Sequence, residues 1–332
     1  MTSFNPLYVV QELSARCYAG CRGCFRGFIH GPLDGDMTED VFEAAKVGIP
    51  SGTMILPQFH GESLLHPQFD YFMKRYADLD LRVSIPVSAA AGEKHLPLLV
   101  SEGTPCYVVI VSVDGLQHQT HAFRRGSISL ARAERFVRLL LDGRGERKTP
   151  SIAVRWVEGG QSEIEFEYYL RKWLFEVGVD FVLRSKMFTY GDEHGSRPIL
   201  DRGRCHALLE GAPVVLFNGD VLLCERTIDR ERFVLGNVLS DSWEKMMDRR
   251  DALVGNYPDD EPCTYCSAAY LLTGMKGVMQ FRHVESSLDI APVFVHSDHS
   301  QEYYSLKQDW SGINWKLRTE TELQRLEYGA GE

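Results

Sequence analysis

The sequence predicts an α/β protein: six βα units on a parallel sheet, followed by a smaller β-rich unit. From residue 7 to about 186, β-branched apolar runs alternate with stretches of helical periodicity, the sequence sign of a parallel sheet covered by helices. After residue 190 the texture changes. A Gly-rich connector from Tyr190 to Gly203 leads to two short strands, Pro213 to Phe217 and Val221 to Cys224, which flank the hairpin signal Asn218-Gly219-Asp220. The chain has 332 residues, 44% hydrophobic and 25% charged, enough for one large domain or one large and one small.

The expected strands are Leu7 to Leu13, Met54 to Phe59, Leu81 to Val87, Tyr107 to Val113, Ile152 to Val157 and Phe181 to Leu183. Between them, helical patterns run near residues 38 to 48, 67 to 78, 93 to 102, 128 to 142 and 163 to 177. Asp36 or Thr38 offers an N-cap for the first, and Glu39 and Asp40 suit its first turn, where the helix dipole favours negative charge. In parallel βα barrels the chemistry sits at the C-terminal ends of the strands, so the loops that follow the strands are where site residues belong.

Lys and Arg number 36 against 46 Asp and Glu, a net charge of −10 with no dense basic run, which argues against nucleic acid as a partner. No charged-then-apolar leader and no apolar run of membrane-spanning length is present, so the expected location is cytoplasmic, with no membrane partner. Eight cysteines in a reducing compartment read first as metal ligands. They fall as Cys17, Cys21 and Cys24, then Cys106, then Cys205, Cys224, Cys263 and Cys266.

Cys17-Tyr18-Ala19-Gly20-Cys21-Arg22-Gly23-Cys24 lies in the loop after the first strand. Three thiolates at this spacing can hold an iron-sulfur cubane and leave one iron without a protein ligand, open to bind a small molecule. A structural zinc knot with a fourth ligand from elsewhere is the alternative. The C-x3-C-x2-C spacing resembles that of the radical S-adenosylmethionine (radical SAM) superfamily, although Gly23 stands where many members carry an aromatic residue. The resemblance implies a partial (β/α)6 TIM-like barrel, a 4Fe-4S cluster on Cys17, Cys21 and Cys24, and SAM chelated to the open iron. It also implies an external reductant such as flavodoxin or ferredoxin.

Cys205, Cys224, Cys263 and Cys266 put two ligands at either end of a hairpin and two on a short knuckle, and alone they would suit a zinc ribbon. The C-x(9 to 15)-G-x4-C element around Gly219, with Leu235-Gly236-Asn237-Val238 and Ser242-Trp243, resembles the SPASM/twitch extension of radical SAM enzymes. With no cysteine after Cys266, the chain is similar to the shorter twitch form. That implies a small C-terminal twitch domain, a β-hairpin plus helix, whose four cysteines bind one auxiliary 4Fe-4S cluster. The expected division is 1–190 for the barrel, 191–275 for the twitch domain and 276–332 for an extension of unassigned role.

Gln58-Phe59-His60-Gly61-Glu62-Ser63 resembles the Gly-Gly-Glu-Pro element that receives the SAM amino group, with Glu62 as acceptor and Gly61 permitting close backbone approach. Ser112-Val113-Asp114-Gly115 resembles the element that bonds the SAM ribose and carboxylate region, and Arg124-Arg125 could steady an anionic group. Ser88 stands where many relatives have Thr-Asn-Gly. Arg155, Glu158 and Arg184 lie near the ends of the fifth and sixth strands, where barrel residues face substrate, so they are the catalytic candidates. Cys106, at the opposite end of its strand, reads as a small buried residue.

The resemblance implies abstraction of a substrate hydrogen atom and, with an auxiliary cluster and no evident thiol donor, net oxidation. It reaches the aminocyclitol-oxidising branch known from butirosin biosynthesis, so a sugar, cyclitol or nucleoside is the expected substrate. Epimerases and bond-forming enzymes share the architecture. Peptide-modifying relatives often carry a leader-binding domain, for which the sixteen residues before Cys17 are too few. A non-catalytic zinc or iron-sulfur scaffold is the reading from outside enzymology.

Overall fold

Six parallel strands form the middle of one continuous sheet, in the order in which the sequence presents them. The computed structural model describes residues 8–22, 24, 26, 34–89, 91, 93–158, 163–185, 213–224, 233–255, 282–283, 292–295 and 301–304. The six strands are β1 (Tyr8–Gln11), β2 (Met54–Leu56), β3 (Arg82–Val87), β4 (Cys106–Ser112), β5 (Ser151–Val157) and β6 (Phe181–Ser185). Each pairs in parallel with its sequence neighbour, as the alternating pattern predicts.

The intervening helices are α1 (Glu39–Ala45), α2 (Phe69–Asp78), α3 (Leu96–Val100), α4 (His118–Arg125), α5 (Leu130–Arg144) and α6 (Glu163–Leu170), the last continuing as a π-helical segment over Arg171–Val177. Their apolar residues recur at helical spacing. In α2, Phe69, Phe72, Met73 and Tyr76 are buried together, and in α5 Leu130, Ala133, Phe136, Val137 and Leu140. Burying each large side chain of such a stripe stabilises the fold by about 1.5–3 kcal/mol. Thr38, rather than Asp36, caps α1 by accepting from the Val41 amide. Asp36 instead pairs with Arg16 beside the cysteine loop.

Two further segments extend the sheet at its edges. Beyond β1 lie β7 (Val214–Val215), β8 (Asp220–Leu222) and β9 (Val234–Asn237), followed by α7 (Trp243–Gly255). The expected hairpin is present as the antiparallel pair β7 and β8, and β7 is hydrogen-bonded parallel to β1. Beyond β6 lies the antiparallel set β12 (Gln301–Tyr304), β11 (Pro292–Val295) and β10 (Arg282–His283). No helix among the described residues is long and apolar enough to cross a membrane.

Strand alternation sorts the side chains onto two faces. Val9, Ile55, Val83, Ile85, Val109, Val111, Val154 and Val182 join the core beneath the helices. The opposite, inner face has smaller apolar clusters, one of Val108, Ile110, Ala153, Phe181 and Leu183 and another of Val10, Val214, Leu216 and Leu222. Continuing those inner rows toward the C-terminal ends of the strands replaces apolar by polar side chains: Glu12, Ser88, Ser112, Asp114, Arg155 and Ser185. The site lies there.

Candidate active site

The cysteine loop is clamped by the end of α4. The Ser127 amide donates to Ala19 O (2.9 Å), the Ser127 hydroxyl to Tyr18 O (3.1 Å), and the Arg22 amide to Arg124 O (2.9 Å). Gly126 makes that contact possible. It adopts φ +58°, and a Cβ there would lie 2.3 Å from Ala19 O. On the other side, the Glu62 amide donates to Arg16 O (2.8 Å), and a Cβ on Gly61 would lie 2.1 Å from Ser14 O. The close approach expected of Gly61 is thus an approach to the chain leading into Cys17.

The carboxylate of Glu62 is 1% exposed. Its Oε2 accepts from the Ser88 hydroxyl (2.6 Å) and amide (2.8 Å), whereas no well-aligned donor reaches the buried Oε1, the Leu64 amide acting on the carboxylate more weakly. Burial pushes the Glu62 pKa up against the opposing bonds from Ser88 and the Leu64 amide and the charge of Arg125. A buried carboxylate oxygen without a well-aligned donor suits an ammonium group. Ser88 therefore enters the site as the partner that orients Glu62.

The thiols of Cys17, Cys21 and Cys24 are close enough to act on one another electrostatically. Burial raises the pKa of Cys17, opposed by the Ala19 amide and reinforced by Glu62, Cys21 and Cys24. Burial likewise raises that of Cys21, opposed by the charge and hydrogen bond of Arg125. Among the described residues, no three His, Cys, Asp or Glu side chains surround a point that would hold a single metal ion. Three crowded thiols beside a buried carboxylate nonetheless fit a cationic iron-sulfur core, whose charge would relieve their mutual repulsion. Cys224 lies in the described chain, half-buried, while Cys205, Cys263 and Cys266 lie outside the described residues.

Asp114 and Arg125 complete the wall of the site. Asp114 Oδ1 accepts from the Val157 amide (2.9 Å), and its Oδ2 lies 2.6 Å from Arg125 Nε. Burial works against the charge on Arg125, but Asp114 and Cys21 outweigh it and hold its pKa above the usual value. Arg124 points elsewhere, with Nη2 donating to Val157 O (3.3 Å). Of the adjacent arginines, Arg125 is the one on the cysteines. His121 backs the same wall, accepting the Asp114 amide on Nδ1 (3.3 Å), and burial lowers its pKa to about 4.

The catalytic candidates divide between the faces. Arg155 is on the inner face, its Nε donating to Ser185 Oγ (3.2 Å), level with Ser112 on β4. Arg184 alternates to the helix-facing side, where it pairs with Glu158 (2.6 Å) and covers the Phe166 ring at 4.4 Å. Ser112 is 8% exposed at the end of its strand.

One buried pair lies outside the sequence-based set. Glu12 Oε1 accepts from the His60 amide (2.9 Å) and faces His60 Nδ1 at 3.0 Å, with both side chains fully buried. This carboxylate ties the end of β1 to the Gly61–Glu62 turn. Its sequence signal is a lone charge ending an apolar strand.

Comparison with known proteins supports this architecture. No protein-family profile matches the chain, and no curated protein matches its sequence. Among solved structures, Streptococcus suis SuiB bound to S-adenosylmethionine superposes with a TM-score of 0.59 at 14% identity, over 82% of this chain and 73% of that one. SuiB bound to the precursor peptide SuiA gives 0.55 at 13% identity, over 82% and 72%. Native anSMEcpe with bound AdoMet and Cp18Cys peptide gives 0.58 at 15% identity, over 80% and 87%. The chain thus has the fold found in these radical SAM enzymes.

Proposed function

We propose that the chain is a radical SAM enzyme. The carrying observation is the convergence of three thiols, on a loop clamped from both sides, with a buried carboxylate one of whose oxygens has no well-aligned donor. In this reading Cys17, Cys21 and Cys24 hold a 4Fe-4S cluster, and Glu62, oriented by Ser88, receives the SAM ammonium. With cluster and SAM bound there, the site would supply radical chemistry able to take a hydrogen atom from a substrate. Asp114 and Ser112 line the nucleoside side, and Gly61 and the Arg124–Arg125 turn fix the walls.

Substrate meets the inner face, where Arg155 orients a polar group, while the Glu158–Arg184 pair braces the rim behind it. The proposed outcome is two-electron oxidation of a sugar, cyclitol or nucleoside. An auxiliary 4Fe-4S cluster on Cys205, Cys224, Cys263 and Cys266 in a twitch domain is part of the proposal. Its support is the cysteine spacing together with the hairpin formed by β7 and β8.

A peptide substrate is the second reading, favoured by the peptides bound to SuiB and anSMEcpe. Anaerobic incubation of the reconstituted protein with SAM and dithionite is expected to yield 5'-deoxyadenosine. With substrate, the product should be two hydrogens lighter. A product of unchanged mass carrying solvent deuterium would replace oxidation by epimerisation, and no 5'-deoxyadenosine at all would refute the radical reading.

A further inference from the structure

The cysteines of the loop do not sit in equivalent fields. Cys17 feels the buried carboxylate of Glu62, whereas Cys21 feels the guanidinium of Arg125, which acts on its sulfur both as a charge and as a hydrogen-bond donor. That guanidinium is held from behind. Asp114 Oδ2 lies 2.6 Å from Arg125 Nε, with the arginine side chain 15% exposed and the aspartate 4%. Asp114 is itself fixed by two elements, since its Oδ1 takes the Val157 amide at the end of β5 (2.9 Å) and its own amide donates to His121 Nδ1 on α4 (3.3 Å). The end of β5 thus holds a carboxylate, the carboxylate holds an arginine, and the arginine reaches one sulfur of the loop. Arg124 turns away to Val157 O (3.3 Å), so this placement belongs to Arg125 and not to the whole turn.

Stability alone does not explain the arrangement. Burial works against the charge of Arg125, and an ion pair taken out of water contributes little net stability compared with apolar packing. What the pair does is put a fixed positive charge and a donor beside a sulfur, and these are two of the levers that tune an iron-sulfur centre.

We propose that Arg125, positioned by Asp114, sets the reduction potential of the iron-sulfur cluster bound through Cys21, so that the cluster accepts an electron more readily before SAM arrives. The inference rests on the radical SAM reading for the cluster and adds to it a residue that acts through a ligand. Reduction brings in one electron from an external one-electron donor. No bond forms or breaks and no proton moves, so the added negative charge is met by the charge and hydrogen bonds already fixed at the sulfurs. Because the pair is largely buried, added salt should screen it little.

The test is a redox titration of the reconstituted full-length protein without SAM, poised with dithionite and mediators and read by electron paramagnetic resonance on the signal that SAM shifts. In Arg125→Gln, the ratio of reduced to oxidised cluster at a fixed poise should fall about tenfold, equivalent to about 59 mV for one electron. Arg125→Lys, which keeps the charge, should recover most of the wild-type ratio. Asp114→Asn/Arg125→Gln removes both partners, leaves no unpaired buried charge to unfold the site, and should show a fall like that of Arg125→Gln with iron content unchanged. An unchanged ratio in both glutamine variants would overturn the proposal. Loss of the cluster in both would also overturn it, by making the arginine a structural support. Weaker SAM binding with the SAM-free ratio unchanged would assign Arg125 to SAM instead, and overturn it as well. A wild type that binds no cluster would overturn this inference together with the radical reading, whereas a wild-type cluster indifferent to Arg125 overturns this inference alone.

Discussion

The two ends of the strands handle buried thiols in opposite ways. Cys106 begins β4 at the N-terminal end, 1% exposed within the helix-covered core. Burial, opposed only by Thr104, pushes its thiol up to about 12. It behaves there as a small apolar side chain. At the C-terminal end, burial also raises Cys17 and Cys21, but within a crowd of charges: Glu62, Asp114, Arg125 and the neighbouring thiols. At that end the buried charge is paired, Asp180 with Arg144 and with the Ile152 amide, amid apolar packing. The other keeps ionisable groups buried with their partnerships incomplete, an arrangement that marks sites built to receive something else.

Substitutions at the two ends should therefore differ in kind. The largest effect is expected from Gly61→Ala, because the new Cβ meets backbone atoms of Ser14 and Ala15 that cannot turn aside. A loss of about 3 kcal/mol in unfolding free energy, read by denaturant titration, is the expected outcome. A neutral result would show that the Ser14–Arg16 contact is not as close as described. Next comes Glu62→Ala, which should leave stability nearly unchanged or raised, since a buried carboxylate is removed. SAM affinity should fall about tenfold, measured by calorimetry on the cluster-loaded protein. Unchanged affinity would break the contrast by making Glu62 a structural residue. The smallest effect belongs to Cys106→Ala, expected to cost about 1 kcal/mol of stability and no activity. Loss of activity in that variant would place chemistry at the wrong end of the barrel.

The sequence announces the cysteine loop because metal ligation demands a spacing, and the six strands because parallel sheets demand long apolar runs. It conceals α4 for the opposite reason. The buried residues of that helix are His121 and Arg124, so hydrophobic periodicity has nothing to register. Arg124 and Arg125 stand out in the sequence as a pair that could steady an anion, but which of them Asp114 and Cys21 draw in is not legible there. The two faces of β5 and β6 were equally hard to read. Arg155 and Arg184 look equivalent in sequence, but strand parity sends one inward with Ser185 and the other outward onto Phe166. Glu12 is obscure because its partner, His60, is supplied by a loop 48 residues away. The hairpin was legible from Asn218-Gly219-Asp220, but its pairing with β1 involves only two residues on each side and leaves no trace in local pattern.

The central claim is that the charged end of the barrel holds a SAM-binding iron-sulfur cluster on Cys17, Cys21 and Cys24. Electron paramagnetic resonance of the anaerobically reconstituted, reduced protein tests it directly, with spectra recorded before and after SAM is added. The account predicts a 4Fe-4S signal in wild type that SAM shifts, and loss of that SAM-sensitive signal when all three cysteines are replaced (Cys17→Ala, Cys21→Ala, Cys24→Ala). A wild-type signal indifferent to SAM, or a SAM-sensitive signal that survives in the triple variant, would contradict it.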